Sequence, residues 1–310
     1  MRVLITGGTN GMGKGVARAL AARDPKHEII ILGRSAERGE STLRELRSVA
    51  KNPNVSFVCC DLTKLSDVKN AIARLRASTT SLDAVFINAG LGYAAGRYET
   101  EDGLDPHFQV NYLSQFMLTL QLLDLLERSQ DGGRVVFNVT EGGHIVWDAL
   151  QLKRNWGYER GIQQAMVAKR MFYARLHDLT RKAHADRTSF FGFQIPKTVW
   201  SNQINIIPWH MRAIATVVKW FGGFISIDEC GELMAPLFTE DQAASRKRSG
   251  TFVTRTKLGF VEKDDPVLSD RASQEKLWNI SLDLCQDEDT RHIAAALCQR
   301  AQSQATSAPS

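Results

Sequence analysis

A doubly wound α/β fold of the Rossmann type, with about seven mainly parallel strands and helices on both faces, is predicted by two features of this chain. The first fifteen residues, MRVLITGGTNGMGKG, set an apolar strand from Met1 to Ile5, a glycine-dense turn and the helical pattern Lys14 to Ala22 in that order. Short apolar runs then alternate with helix-period stretches along the chain, at the spacing of βαβ units. Glycine is needed in the first turn because the backbone bends sharply and must approach a pyrophosphate, whose charge the free N–H groups of the helix start then face. Thr6, Gly7, Gly11, Met12 and Gly13 form the candidate phosphate cradle, against the plainer alternative of an ordinary turn.

The 310 residues suffice for a full core, and the alternation reads as one domain over 1–300 followed by a tail, 301–310, of Ser, Gln, Ala and Pro without periodicity that is expected to be disordered. A net charge of +5 is spread among many acids, so the surface suits an anionic cofactor without forming a nucleic-acid footprint. Five cysteines include only one close pair, Cys59-Cys60, which gives no disulfide framework and no metal-ligand spacing; a reducing, cytoplasmic setting is expected. The first strand is read as beginning at Met1, so no signal peptide is expected. The nearest approach to a membrane span, Ile204 to Ile227, is interrupted by Pro208, His210, Arg212 and Lys219. It reads as a segment covering a substrate, within about 197–240, in preference to an amphipathic stretch lying on a membrane.

In chain order, Glu28 to Leu32 is the second strand and ends at Gly33-Arg34-Ser35. At that strand end an acid would bind a free ribose 2′-hydroxyl, whereas the arginine present here favours a 2′-phosphate, hence NADP(H); a merely solvated arginine is the alternative. Val55 to Cys60 is the third strand and delivers Asp61-Leu62, and Asp83 to Ile87 is the fourth and ends in Asn88-Ala89-Gly90. A helix over about 106–128 carries Asn111 on its early turns. Strands at 133–139, 189–194 and 250–254 and a helix over 161–183 complete the pattern.

Thr6-Gly7-x-x-x-Gly11-x-Gly13, Asp61-Leu62, Asn88-Ala89-Gly90 and Asn111 together resemble the short-chain dehydrogenases/reductases, over roughly residues 1–255. Ala165 to Leu176, AMVAKRMFYARL, resembles a helix of the retinol-dehydrogenase-like branch, and LSDRASQEKLWNIS resembles a C-terminal helix of its fungal members. The resemblance implies that Asp61 and Leu62 lie against adenine, that Asn88 to Gly90 lie against the cofactor, and that Asn111 and Lys169 serve the active site, Lys169 by holding the ribose. It also implies homodimerisation through the helices of 106–128 and 161–183, and, for the fungal branch, a role in secondary metabolism.

The chain departs from the family at the chemistry itself. The family's tyrosine stands four residues before the lysine, so that one helix face carries both; here that residue is Ala165. The family's serine motif appears as Asn138-Val139-Thr140-Glu141. In the favoured register Glu141 takes the serine position, as a base, an acid or a plain exposed carboxylate; a slip of one residue gives the role to Thr140. Tyr93, His144, Asp148 and Tyr158 are on loops that border such a site, and Tyr173 shares the face of Lys169 but suits core packing. The family's PGxVxT loop becomes Pro196-Lys197-Thr198-Val199-Trp200-Ser201, in which Pro196, Val199 and Ser201 are implied to meet the nicotinamide.

Trp200, Trp209 and Trp220 with Ile204 to Ile207 either line a site for a bulky apolar substrate or are simple core aromatics. The expectation is an NADP(H)-dependent enzyme of this family acting on a small hydrophobic molecule, reductive or turned to cyclisation or isomerisation. The competing class is a nucleotide-binding sensor that has lost its acid.

Overall fold

Val3 and Ile5 are buried on one face of strand β1 (Arg2–Thr6) and Leu4 on the other, which is why the run carries no polar alternation. The same division recurs in β2 (Glu28–Gly33), where Ile29 and Ile31 oppose Ile30 and Leu32. The computed structural model describes residues 1–307. Further strands are β3 (Val55–Cys59), β4 (Ala84–Ile87), β5 (Arg134–Asn138), β6 (Ser189–Gln194), β7 (Thr198–Val199), β8 (Phe224–Ile225), β9 (Phe252–Thr256) and β10 (Gly259–Glu262). The main sheet has the order β10-β9-β6-β5-β4-β1-β2-β3, parallel except for the β9–β10 pair. It has eight strands where about seven are expected, because β10 folds back on β9 in a hairpin. Strand order reverses between β1 and β4, and in open α/β sheets that switch point opens the crevice that takes ligands.

Helices α1 (Gly11–Arg23), α2 (Ala36–Ser48), α3 (Leu65–Ser78), α4 (Pro106–Phe108), α5 (Ser114–Gln121), α6 (Leu123–Glu127), α7 (Tyr158–Lys182) and α8 (Trp209–Trp220) follow in chain order. After them come α9 (Ile227–Met234), α10 (Pro236–Thr239), α11 (Gln242–Lys247), α12 (Arg271–Cys285) and α13 (Glu288–Ser307). The expected continuous helix over 106–128 is interrupted by a π-helical turn, Gln109–Leu113, and breaks again at Leu122. Helices α1 and α9 pack backbone to backbone: a Cβ on Gly15 would run into the carbonyl oxygen of Ile227. Arg18 to Asp228 at 2.8 Å and Arg23 to Glu232 at 2.8 Å close the edges of that crossing.

The C-terminal helices lie across α5 and α7. Trp278 of α12 packs edge-on to Phe116 with ring centres 5.4 Å apart, Tyr112 meets Ser281 at 2.6 Å, and Gln121 donates to Asp287 at 2.7 Å. The faces expected to form a dimer are therefore covered by the chain's own α12 and α13. Nor does disorder begin at residue 301: α13 continues to Ser307 because Ala294, Leu297 and Ala301 recur at helical spacing and are buried in the core. Residues 308–310 of the expected tail lie outside the described residues. All five cysteines are free thiols.

Candidate functional site

The Thr6 hydroxyl, fully buried, donates to the Phe86 carbonyl at 3.1 Å and accepts from the Asn88 and Ala89 N–H groups at 2.8 and 3.0 Å. Asn88 returns its side-chain amide to the Thr6 carbonyl at 3.0 Å, so the ends of β1 and β4 are locked together. The Thr6 hydroxyl thus braces the cradle from below. Gly7 has φ +70 and Gly11 φ +53, both in the region that favours glycine. A Cβ on Gly13 would lie 2.6 Å from the Gly7 carbonyl oxygen, so the turn closes tightly on the start of α1. The N–H groups of that start have no intrahelical partners and Asn10 makes no side-chain cap, the arrangement a pyrophosphate needs. The residues fit a dinucleotide.

From this turn a polar ladder crosses the strand ends. The Asn138 side-chain amide reaches Asn88 Oδ1 at 3.5 Å, and the Asn138 carbonyl accepts from Lys169 Nζ at 3.2 Å. Lys169 is fully buried in α7, and burial pulls its pKa from 10.5 down to about 7. At this depth in α7 the neutral amine is favoured over the ammonium form. Asn111, in the π-helical turn, spends its amide on Leu91: Oδ1 accepts from the Leu91 N–H at 2.6 Å and Nδ2 donates to the Leu91 carbonyl at 3.1 Å. It positions the loop after Gly90.

Ala165 is fully buried in the core that surrounds α7, and no phenol projects from that position. Glu141 is exposed and ion-paired with Lys263, which also donates to Gln194 at 3.1 Å. Of the three readings open to Glu141 in that register, the exposed, paired side chain is the one this geometry matches. Thr140 is exposed one residue earlier, two residues past the end of β5. Tyr173 is fully buried with its hydroxyl unpartnered and its acidity suppressed by burial, so its role is packing. Tyr158, at the start of α7, stacks edge-on with Tyr93 at 5.0 Å, and both rings stay half-buried. His144 and Asp148 are exposed on the intervening loop.

On the adenosine side, Arg34 is exposed just beyond β2, and Asp61 is partly occupied by a local turn, accepting from the Thr63 N–H at 3.0 Å and hydroxyl at 2.9 Å. Leu62 is buried. After β6, exposed Pro196 leads into β7, whose Val199 pairs with Ile225 in a separate two-stranded sheet. Ser201 then lies over the glycine turn, its Cβ 3.6 Å from where a Cβ on Gly11 would stand. A cavity of about 450 Å³ opens here, lined by Trp200, Ser201, Arg212 and Thr216 among others.

Sequence reasoning counted Arg212 as an interruption of an apolar run and missed it as a lining residue. It also missed Arg170, buried in α7, which pairs with Asp265 at 3.0 Å and donates to the Gly142 carbonyl, holding the loop that follows Thr140. Its place one residue after Lys169, inside an apolar helix, was the available signal. Lys263 had none.

Residues 1–149 match the family model for short chain dehydrogenase. The oxidoreductase AndH of Emericella variicolor is 38% identical over 137 residues, which cover 44% of this chain and 40% of that protein. The human polyprenol dehydrogenase is 30% identical over 182 residues, covering 57% and 54%. The chain thus matches only about half of the length of these curated relatives. A solved Mycobacterium paratuberculosis protein superposes with a TM-score of 0.66 at 22% identity, over 93% of this chain and 94% of its own, which shows a shared fold. The glycine turn and the Thr6–Asn88 lock both fall inside residues 1–149, so it is this half of the chain that is similar to the short-chain dehydrogenases/reductases.

Proposed function

We propose that the protein is an NADP(H)-binding oxidoreductase acting on a small hydrophobic molecule, with a proton-handling apparatus that differs from its family's. The observation that carries this reading is the intact cradle: Gly7, Gly11 and Gly13 at the start of α1, tied to Asn88 by Thr6. Gly7, Gly11, Met12 and Gly13 would hold the pyrophosphate, Arg34 the 2′-phosphate, Asp61 and Leu62 the adenine side, and Asn88 to Gly90, Lys169, Pro196, Val199 and Ser201 the nicotinamide side. When bound, the cofactor supplies or accepts hydride. Of the two hydroxyl registers, the pairing of Glu141 with Lys263 favours Thr140 as the group that donates to a substrate oxygen.

Loss of the usual phenol points to substrates that need little protonation during hydride transfer, such as enones or iminium ions, since general acid assistance is worth ~10²–10⁴ in rate. The relative named polyprenol dehydrogenase supports an apolar substrate, and the likeness to an oxidoreductase of Emericella variicolor is in line with the fungal resemblance from which a role in secondary metabolism is proposed. The segment over 197–240 would cover that substrate, with Trp200 and Ile204 at the cavity.

Titration with NADPH and NADH, followed by nicotinamide fluorescence and then by addition of apolar carbonyl, enone and imine compounds, tests the proposal. Preference for NADPH with substrate-dependent oxidation is expected. Binding without oxidation would assign the site to non-redox cyclisation or isomerisation, or to a sensor role; buried Ala165 and the neutralised Glu141 favour that second reading. Absence of binding would overturn both.

A further inference from the structure

Helix α8 is inside out. A surface helix ordinarily turns its apolar stripe to the core and its charges to water. Here Arg212 and Thr216, one turn apart, line the cavity beside Ser201, and Lys219, on the same stripe, lies 4.1 Å over the ring of Trp200. The apolar side faces solvent: Trp209 is 82% exposed, Ile214 65%, Trp220 81% and Phe221, just past the helix, 86%, with Val217 and Val218 between them. At 100° per residue these side chains span roughly 180° of the circumference, with exposed His210 also within the arc. None of the residues of α8 is buried.

Two further observations identify what covers this face. From Lys197 to Ile227 the chain carries Lys197, Arg212 and Lys219 and no Asp or Glu, so no acid of the segment repels an anionic surface, while Arg212 and Lys219 stay on the polar stripe behind the apolar face. Trp209 and Trp220 fall on one line at the two ends of the helix, placing amphipathic rings where a headgroup layer accepts them. A second copy of the chain is a poorer occupant. One face of a helix about 18 Å long and ~10 Å wide offers roughly 200 Å², against about 800 Å² per partner in a stable interface. Twelve residues are also too few to span a bilayer, and no helix among the described residues is long and apolar enough to do so.

We propose that α8 docks the protein reversibly on an anionic lipid leaflet, its apolar face in the headgroup boundary and its polar stripe over the cavity. This departs from the expectation of little membrane contact and is independent of the chemistry proposed for the site.

Cosedimentation of the full chain with phosphatidylcholine vesicles, with and without phosphatidylserine, tests it. Binding to the phosphatidylserine vesicles is expected, at least about ten-fold weaker on phosphatidylcholine alone and weakened by salt. The double variant Ile214→Glu/Val218→Glu should lose about ten-fold or more in vesicle affinity, with unchanged circular dichroism and gel-filtration volume. Phe221→Ser, beyond the helix end, should act in the same direction and serves if the double variant misfolds. Absence of binding by the natural protein, or binding that neither variant weakens, overturns the proposal. So does a dimer in solution that the double variant dissociates while vesicle binding stays absent; the face would then belong to a second copy.

Discussion

Lys169 occupies a place where its charged form is disfavoured. Its folded pKa of about 7 lies below the ordinary 10.5, so between these values the unfolded chain holds a proton that the folded one does not. Stability therefore rises with pH across that window, and the full penalty applies below about pH 7. Lys169→Met should raise the thermal midpoint by about 2–4 °C near neutrality, more at about pH 6 than at about pH 9, while weakening dinucleotide binding about ten-fold or more. Melting curves at the two pH values and a fluorescence titration check this, and a lowered midpoint would contradict it. A neighbouring comparison separates the two hydroxyl registers. Thr140→Ala should lower kcat/KM by ~10² or more, whereas Glu141→Gln, at an exposed pair worth roughly 0.2–1 kcal/mol, should change it by only a few-fold. The reverse order would restore Glu141 as the reacting group.

Among the elements, α1 and α7 carry the site, and each is held by something its own sequence pattern does not display. The close of the glycine turn depends on the space at Gly13: Gly13→Ala forces a methyl group against the Gly7 carbonyl, and should cost about 1–3 kcal/mol and abolish dinucleotide binding. Denaturant unfolding and the same titration measure the two effects. Helix α7 is anchored through Arg170, buried with Asp265 and bonded to the loop at Gly142. Removing one partner of such a pair strands a buried charge, so Asp265→Ala should lose about 3–5 kcal/mol in denaturant unfolding. It should also loosen the loop that carries Thr140, seen as faster amide exchange over residues 140–148.

Across the whole molecule, α12 and α13 complete the core on the face of α5 and α7. Trp278 packs against Phe116 and Phe172, and Trp278→Ala should cost about 3–5 kcal/mol, read from denaturant unfolding. These helices are part of the fold, not an appendage, although the family match ends at residue 149. They also cover the surface that family resemblance assigns to a dimer. The apolar surface that stays open lies on α8 instead, on the far side of its polar stripe.

What was legible in the sequence was local. A buried parallel strand must be apolar on both faces, and a tight turn into a helix must be glycine, so β1 and the turn at Gly7 to Gly13 could be read directly, whereas Asn88 and Lys169 were singled out by resemblance. The absence of tyrosine at 165 was equally plain. Long-range pairing decided the rest. Lys263 meets Glu141 across 122 residues, Asp265 meets Arg170 across 95, and Ser281 meets Tyr112 across 169. No periodicity records such partners, because a charge's pairing depends on what the fold brings beside it. The direction of α8 was decided in the same way: its composition shows an amphipathic helix, but only the packing of Arg212 and Thr216 against the cavity turns the apolar face outward.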